Sequence, residues 1–179
     1  LSQAPGPVHM VGHSLGGITI TQAGEAYTGL ISKLVYLTAF IPGNNESRFD
    51  VDGGGAEGSL TGKYRIFSDD KKTMTIAKEG LKPTFYADCD DETVSWVQER
   101  LCPQATAIAQ TKVRTSDAGW GSIPRVYIEC TEDRAIPIAQ QRACWGRHPC
   151  APVITMETSH SPFMSAPETL ADHLHRLAD

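Results

Sequence analysis

The apolar positions of this chain come as short runs and periodic stripes that alternate along its length. "PVHMV", with Val8, Met10 and Val11, reads as a buried strand, and "GITITQAGEAYTGL" after it reads as a helix ending near Gly29. "KLVYLTAFIP", Lys33 to Pro42, is a continuous apolar run stopped by Pro42 and Gly43. That is the texture of a strand in a parallel sheet covered on both faces. It returns in "PRVYIECTED", which is followed by a helix over "PIAQQRACWGR" with Pro137 at its start. It returns again in "APVITMETSH", broken by Pro162. "PETLADHLHRLAD" closes the chain as a helix, with Pro167 in its first turn and Leu170, Leu174 and Leu177 as its stripe.

Between the second and third strands the texture changes, and residues 43–113 turn polar. "DGGGAEGSLTG" reads as a flexible opening, and "KYRIF" and "KTMTIA", joined through "SDDK", predict a hairpin with alternating faces. "DDETVSWVQERL" predicts an amphipathic helix capped by Asp90 or Asp91, with Val94, Val97 and Leu101 on one side. Strand, helix, strand, insertion, strand, helix, strand, helix is an α/β pattern: a parallel sheet flanked by helices. The insertion falls where it would cover the carboxyl edge of the sheet as a lid, and ligands bind at that edge in open α/β sheets.

Bulk properties narrow the function classes. The 179 residues are 40% hydrophobic with a formal net charge of -5, which suits a single domain with a sizeable core. A mildly acidic chain without a basic run gives no footing for nucleic acid. No apolar stretch approaches the roughly 20 residues that cross a bilayer, so no membrane span is expected. The opening "LSQAPGP" lacks the basic and apolar regions of a signal peptide, which leaves the location open, the cytoplasm being only slightly favoured. Five cysteines, an odd count, argue against a fully paired framework. Local pairs Cys89–Cys102 and Cys144–Cys150 stay open, with Cys130 buried in a strand, but free thiols are the expectation. With no C-x-x-C and no zinc-like histidine spacing, no metal site is expected, and no cofactor is called for.

The chemistry is concentrated in "VGHSLGGITI", Val11 to Ile20. A nucleophilic serine on a sharp turn between strand and helix needs small flanking residues, because the backbone there is strained and closely approached. Gly12 and Gly16 meet that demand around Ser14, and Gly17 adds room for the helix. A serine hydroxyl also needs a base, and the base an orienting acid. Of six histidines, His160 in "ETSHSPF" alone falls just past a late strand. His13 lies inside the turn with its side chain expected to point away from Ser14. "CTEDRAIP" offers Glu132 and Asp133, with Glu129 further back; Asp133 is best placed, and Glu132 would pair with Arg134 or face solvent. The order Ser14, Asp133, His160 is that of α/β-hydrolase triads.

"GHSLGG", "VYIECTEDRAIP" and "SHSPFMSAPETLADHL" resemble the α/β-hydrolases that include plant methyl esterases, hydroxynitrile lyases and bacterial carboxylesterases. "SHSPF" and "FYADC" are closer to the bacterial members. The resemblance runs from about Val8 to Leu177 and implies an α/β-hydrolase fold with residues 43–113 as a small cap. It implies acyl transfer on a small-molecule ester, with Ser14, Asp133 and His160 catalytic and the backbone N–H of Leu15 in the oxyanion hole. The cap aromatics Phe85, Tyr86 and Trp96, with His13, become candidates for the substrate pocket.

Family members carry further strands before the nucleophile strand. The resemblance therefore implies that this chain is the carboxyl-terminal portion of a longer protein, lacking the amino-terminal strands and the second oxyanion donor. An unpaired first strand makes a homo-oligomer possible. Within the fold, a hydroxynitrile lyase is the rival. Those enzymes resemble this chain but place a lysine after the histidine and a cysteine after the serine, where Ser161 and Leu15 stand here. A small-molecule receptor that retains the triad is the rival outside catalysis.

Overall fold

A computed structural model describes residues 1, 3–51 and 57–178. In chain order it contains β1 (Val8–Ser14), α1 (Gly16–Ala26), β2 (Ile31–Ala39), α2 (Thr61–Tyr64), β3 (Arg65–Phe67), β4 (Thr73–Ile76), α3 (Lys78–Phe85) and α4 (Asp91–Gln98). After these come β5 (Gln104–Ala105), α5 (Ala107–Gln110), β6 (Arg125–Cys130), α6 (Ile138–Arg147), β7 (Val153–Met156), α7 (Pro162–Ser165) and α8 (Pro167–Ala178). The chain divides into two compact units. One comprises Leu1–Ala56, Ile108–Glu129 and Ala139–Thr155, the other Glu57–Ala107, Cys130–Ile138 and Met156–Asp179.

The first unit is built on a four-stranded sheet in the order β1-β2-β6-β7. β1 runs parallel to β2, and β2 parallel to β6. Its centre is the apolar run read as a doubly covered strand: Leu34, Val35, Tyr36 and Leu37 are at most 2% exposed. Val126, Tyr127 and Ile128 of β6 are equally buried, and α1 contributes Ile18 and Ile20. Two buried tyrosines are fully satisfied, as burial of a hydroxyl demands. Tyr36 pairs with Thr21 at 2.8 Å and accepts the Trp120 indole N–H at 2.9 Å. Burial pushes its phenol well above the usual range. Tyr127 donates to the Ala39 carbonyl and accepts the Ala39 N–H, fixing the end of β2.

The second unit carries a three-stranded sheet in the order β3-β4-β5. The predicted hairpin is its first half, antiparallel with Ile66 opposite Thr75. Asp70 closes the turn by accepting from the Ser68 hydroxyl and the Lys72 N–H. α4 starts where expected, with the Asp90 carboxylate accepting the Thr93 N–H at 2.8 Å.

The structure corrects several expectations. α1 stops at Ala26, and Thr28–Leu30 forms a separate tight turn. α4 ends at Gln98, so Leu101 lies outside it and is 43% exposed, leaving Val97 as its buried residue. α3 was not legible because Gly80 and Pro83, both poor helix residues, stand within its eight positions. As expected, none of the five cysteines is in a disulfide, and Cys130 is fully buried. Of the stretch read as a flexible opening, residues 52–56 lie outside the described residues.

Candidate active site

Ser14 ends β1 with φ 56°, in the left-handed region that costs a non-glycine residue strain. Its carbonyl accepts the Phe40 N–H at 3.2 Å, and the ladder slips between His13 and Ser14, so that Ser14 falls opposite Ala39. Two glycines make this turn possible. A Cβ on Gly12 would lie 2.7 Å from the Gly16 carbonyl oxygen, and one on Gly17 would collide with the Phe40 carbonyl. A Cβ on Gly16 would meet nothing. The demand for a missing side chain thus falls on Gly12 and Gly17, because Gly16 supplies the backbone that Gly12 must clear. Leu15 stands immediately before α1 with helical angles, so its N–H is one of the first-turn donors at the positive end of the helix. His13, half-buried, pairs in register with Leu37.

In the second unit, the segments following β6 and β7 run side by side. The Thr131 N–H donates to the Met156 carbonyl and the Glu132 N–H to the Thr158 carbonyl, each at 3.0 Å. This places Asp133 against His160: Nδ1 of the ring bonds Oδ2 of the carboxylate at 2.6 Å, with the two residues 2% and 4% exposed. The other carboxylate oxygen accepts the N–H groups of Ala135 at 2.6 Å and Ile136 at 2.9 Å. The Ala135 carbonyl in turn accepts the hydroxyls of Ser59 and Thr61. Glu132 is exposed. Glu129 is buried but committed to Arg142 at 3.0 Å, Thr155 at 3.1 Å and Trp145 at 3.2 Å. Its own burial would raise its pKa, and those donors hold it below the ordinary carboxylate value.

The aromatic candidates separate. The Phe85 ring meets the His160 ring edge-on, with centroids 5.3 Å apart. Tyr86 follows it, and burial raises its phenol pKa, with Ser161 opposing the rise. Trp96 instead is 52% exposed and lines a groove of about 270 Å³ with Glu92, Thr93 and Met164. Arg100 lies over its ring, 4.3 Å from the centroid. The residue that sequence reasoning missed is Asp88. Its carboxylate accepts the Ser159 N–H at 2.8 Å and the Ser159 hydroxyl, one position before His160.

Among the described residues there is no group of three or more histidine, cysteine or acidic side chains placed to hold a metal. No helix among them is long and apolar enough to cross a membrane.

Residues 1–173 match the family described as alpha/beta hydrolase. Methylesterase 1 of Arabidopsis thaliana is 32% identical over 182 residues, covering 96% of this chain and 69% of that protein. A pyrethroid hydrolase of Sphingobium wenxiniae is 30% identical, covering all of this chain and 66% of its own length. The crystal structure of a pyrethroid hydrolase from Sphingobium faniae superposes with a TM-score of 0.84 at 25% identity, over 100% of this chain and 73% of that one. Polyneuridine aldehyde esterase shares the fold, with a TM-score of 0.82 at 21% identity over 99% of this chain and 75% of that chain.

Proposed function

We propose, from the premise that this chain belongs to the alpha/beta hydrolase family, that it cleaves carboxylic esters of small molecules with Ser14, His160 and Asp133 as its catalytic residues. The esterase and hydrolase relatives support ester cleavage. The observation that carries the residue assignment is the buried Asp133–His160 pair, which fixes the imidazole through Nδ1. The strained geometry at Ser14 supports the choice of nucleophile.

In the mechanism, Ser14 Oγ adds to the ester carbonyl carbon and its proton passes to Nε2 of His160. Asp133 holds Nδ1 protonated and stabilises the imidazolium that forms. The Leu15 N–H donates to the oxyanion. Collapse expels the alkoxide, which takes the proton from His160, and leaves an ester on Ser14. Water then adds to that acyl group as His160 takes its proton, and the acid departs as Ser14 regains a hydrogen. Ester and water become acid and alcohol. Residues 43–113 act as the cap, and Phe85 and Tyr86, with His13, shape the substrate pocket, while the exposed Trp96 lines a separate groove.

A phosphonylating or sulfonylating inhibitor should label Ser14 alone, and Ser14→Ala should abolish hydrolysis of a nitrophenyl ester while the fold is kept. Labelling of a different serine, or activity surviving the substitution, overturns the assignment. Tight ligand binding without turnover would favour a receptor instead.

A further inference from the structure

Ser159 and His160 both meet partners from one short segment, 85–88. Ser159 gives its N–H to Asp88 Oδ2 at 2.8 Å and its hydroxyl to Asp88 Oδ1. The same hydroxyl reaches the Phe85 carbonyl at 3.4 Å. His160 meets the Phe85 ring edge-on. On its other side this loop is tied to the acid's loop through the bond from the Glu132 N–H to the Thr158 carbonyl.

Ser159, His160 and Ser161 are 1%, 2% and 1% exposed, yet Asp88 itself is exposed. A carboxylate on the surface thus reaches in to hold a buried N–H and a buried hydroxyl at once. Partial burial alone would raise the Asp88 pKa; the two Ser159 donors, with smaller contributions from Ser165 and the Asp88 backbone, together hold the carboxyl below its usual range. A charge-assisted pair of this kind is stronger than neutral hydrogen bonds and fixes direction as well as distance.

We propose that Asp88 is a positioning residue, which sets the backbone of His160 through Ser159 and so ties the base to segment 85–88. The proposal rests on the reading of His160 as general base. Its consequence is that movement of segment 85–88 when substrate enters is transmitted to the imidazole, not only to the pocket wall. Small misplacements of a reacting group cost about 10²-fold in rate, which sets the scale.

The test is a cycle of Asp88→Ala, Ser159→Ala and the double variant, with kcat, KM and melting temperature measured on a nitrophenyl ester. Asp88→Ala is expected to lower kcat by about 10- to 100-fold with KM little changed. Its effect should be only partly additive with Ser159→Ala, which removes the hydroxyl bond to Asp88 and keeps the N–H bond. Asp88→Asn, which keeps one acceptor oxygen for the Ser159 N–H, should recover part of the lost rate. A lowered melting temperature with kcat intact, or additive effects, overturns the proposal and leaves Asp88 a purely structural contact. The proton NMR signal of the His160 Nδ1–H is a readout independent of esterase activity. It should broaden or shift in Asp88→Ala, and an unchanged signal also overturns the proposal. If Ser14→Ala retains activity, the catalytic reading has failed, and the NMR arm still decides whether Asp88 positions His160.

Discussion

His160 and Asp133 form a closed pair: one carboxylate oxygen takes the ring Nδ1–H at 2.6 Å while the other is held by the N–H groups of Ala135 and Ile136. The acid is therefore fixed at both oxygens before any substrate arrives. Asp133→Asn keeps the shape but offers an amide that favours the wrong imidazole tautomer. Turnover should fall by up to about 10⁴-fold. Glu132→Gln, at an exposed neighbour, should change it little. Kinetics of the two variants on one ester decide the matter, and reversed effects would move the acid by one residue.

The nucleophile turn makes a prediction about stability alone. Gly17→Ala drives a Cβ into the Phe40 carbonyl, a backbone atom at the end of the parallel pair that cannot step aside cheaply. A loss of about 3 kcal/mol or more is expected, at the upper end of overpacking costs. Gly16→Ala places a methyl in open space and should be neutral within about 0.5 kcal/mol. Urea melts of both variants test this, and equal midpoints would refute it.

That asymmetry marks where the sequence stops being informative. Long apolar runs such as Leu34–Leu37 announce buried strands because burial on both faces leaves no polar position. Asp133 could be singled out because it sits just past a strand, where chains turn towards a ligand edge. Gly16 and Gly17 look alike as letters, and only the path of the Phe40 backbone tells them apart. β5 has two residues and no period to read. The Asp88–Ser159 contact joins positions 71 apart, and no local pattern encodes such a pairing.

His148 gives a pH dependence. Burial is the largest influence on it, Arg147 and Arg125 add to the cost of a charge, and Glu46 opposes them. Together they lower its pKa below the ordinary value of about 6.5. The unfolded chain therefore takes up this proton first as pH drops. The stability it contributes is present above the unfolded value and lost as pH falls through the folded one. His148→Phe keeps a ring against Trp120, which the imidazole meets edge-on with centroids 5.2 Å apart. Urea midpoints between pH 8 and pH 5 should fall less steeply in the variant. Parallel slopes would show that other groups carry the acid sensitivity.

The last prediction concerns β1. Its neighbour β2 is sealed, with Leu34 and Tyr36 at 0% exposure, whereas Val11 of β1 is 45% exposed. Among the described residues β1 stands at the end of the sheet order and pairs with β2 alone. An edge strand offers a row of N–H and C=O groups to any similar strand, and an apolar side chain beside them strengthens the association. Natural edges are blunted by charge, above all by lysine, and β1 carries none. The 179-residue chain is therefore expected to self-associate through this edge. Val11→Lys should raise the monomer fraction across a concentration series followed by light scattering. It should do so without changing the melting profile of the monomer, since the new side chain faces solvent. A wild-type chain that stays monomeric throughout the series would show that β1 is not an interaction edge. An oligomer indifferent to Val11→Lys would place the contact elsewhere on the molecule.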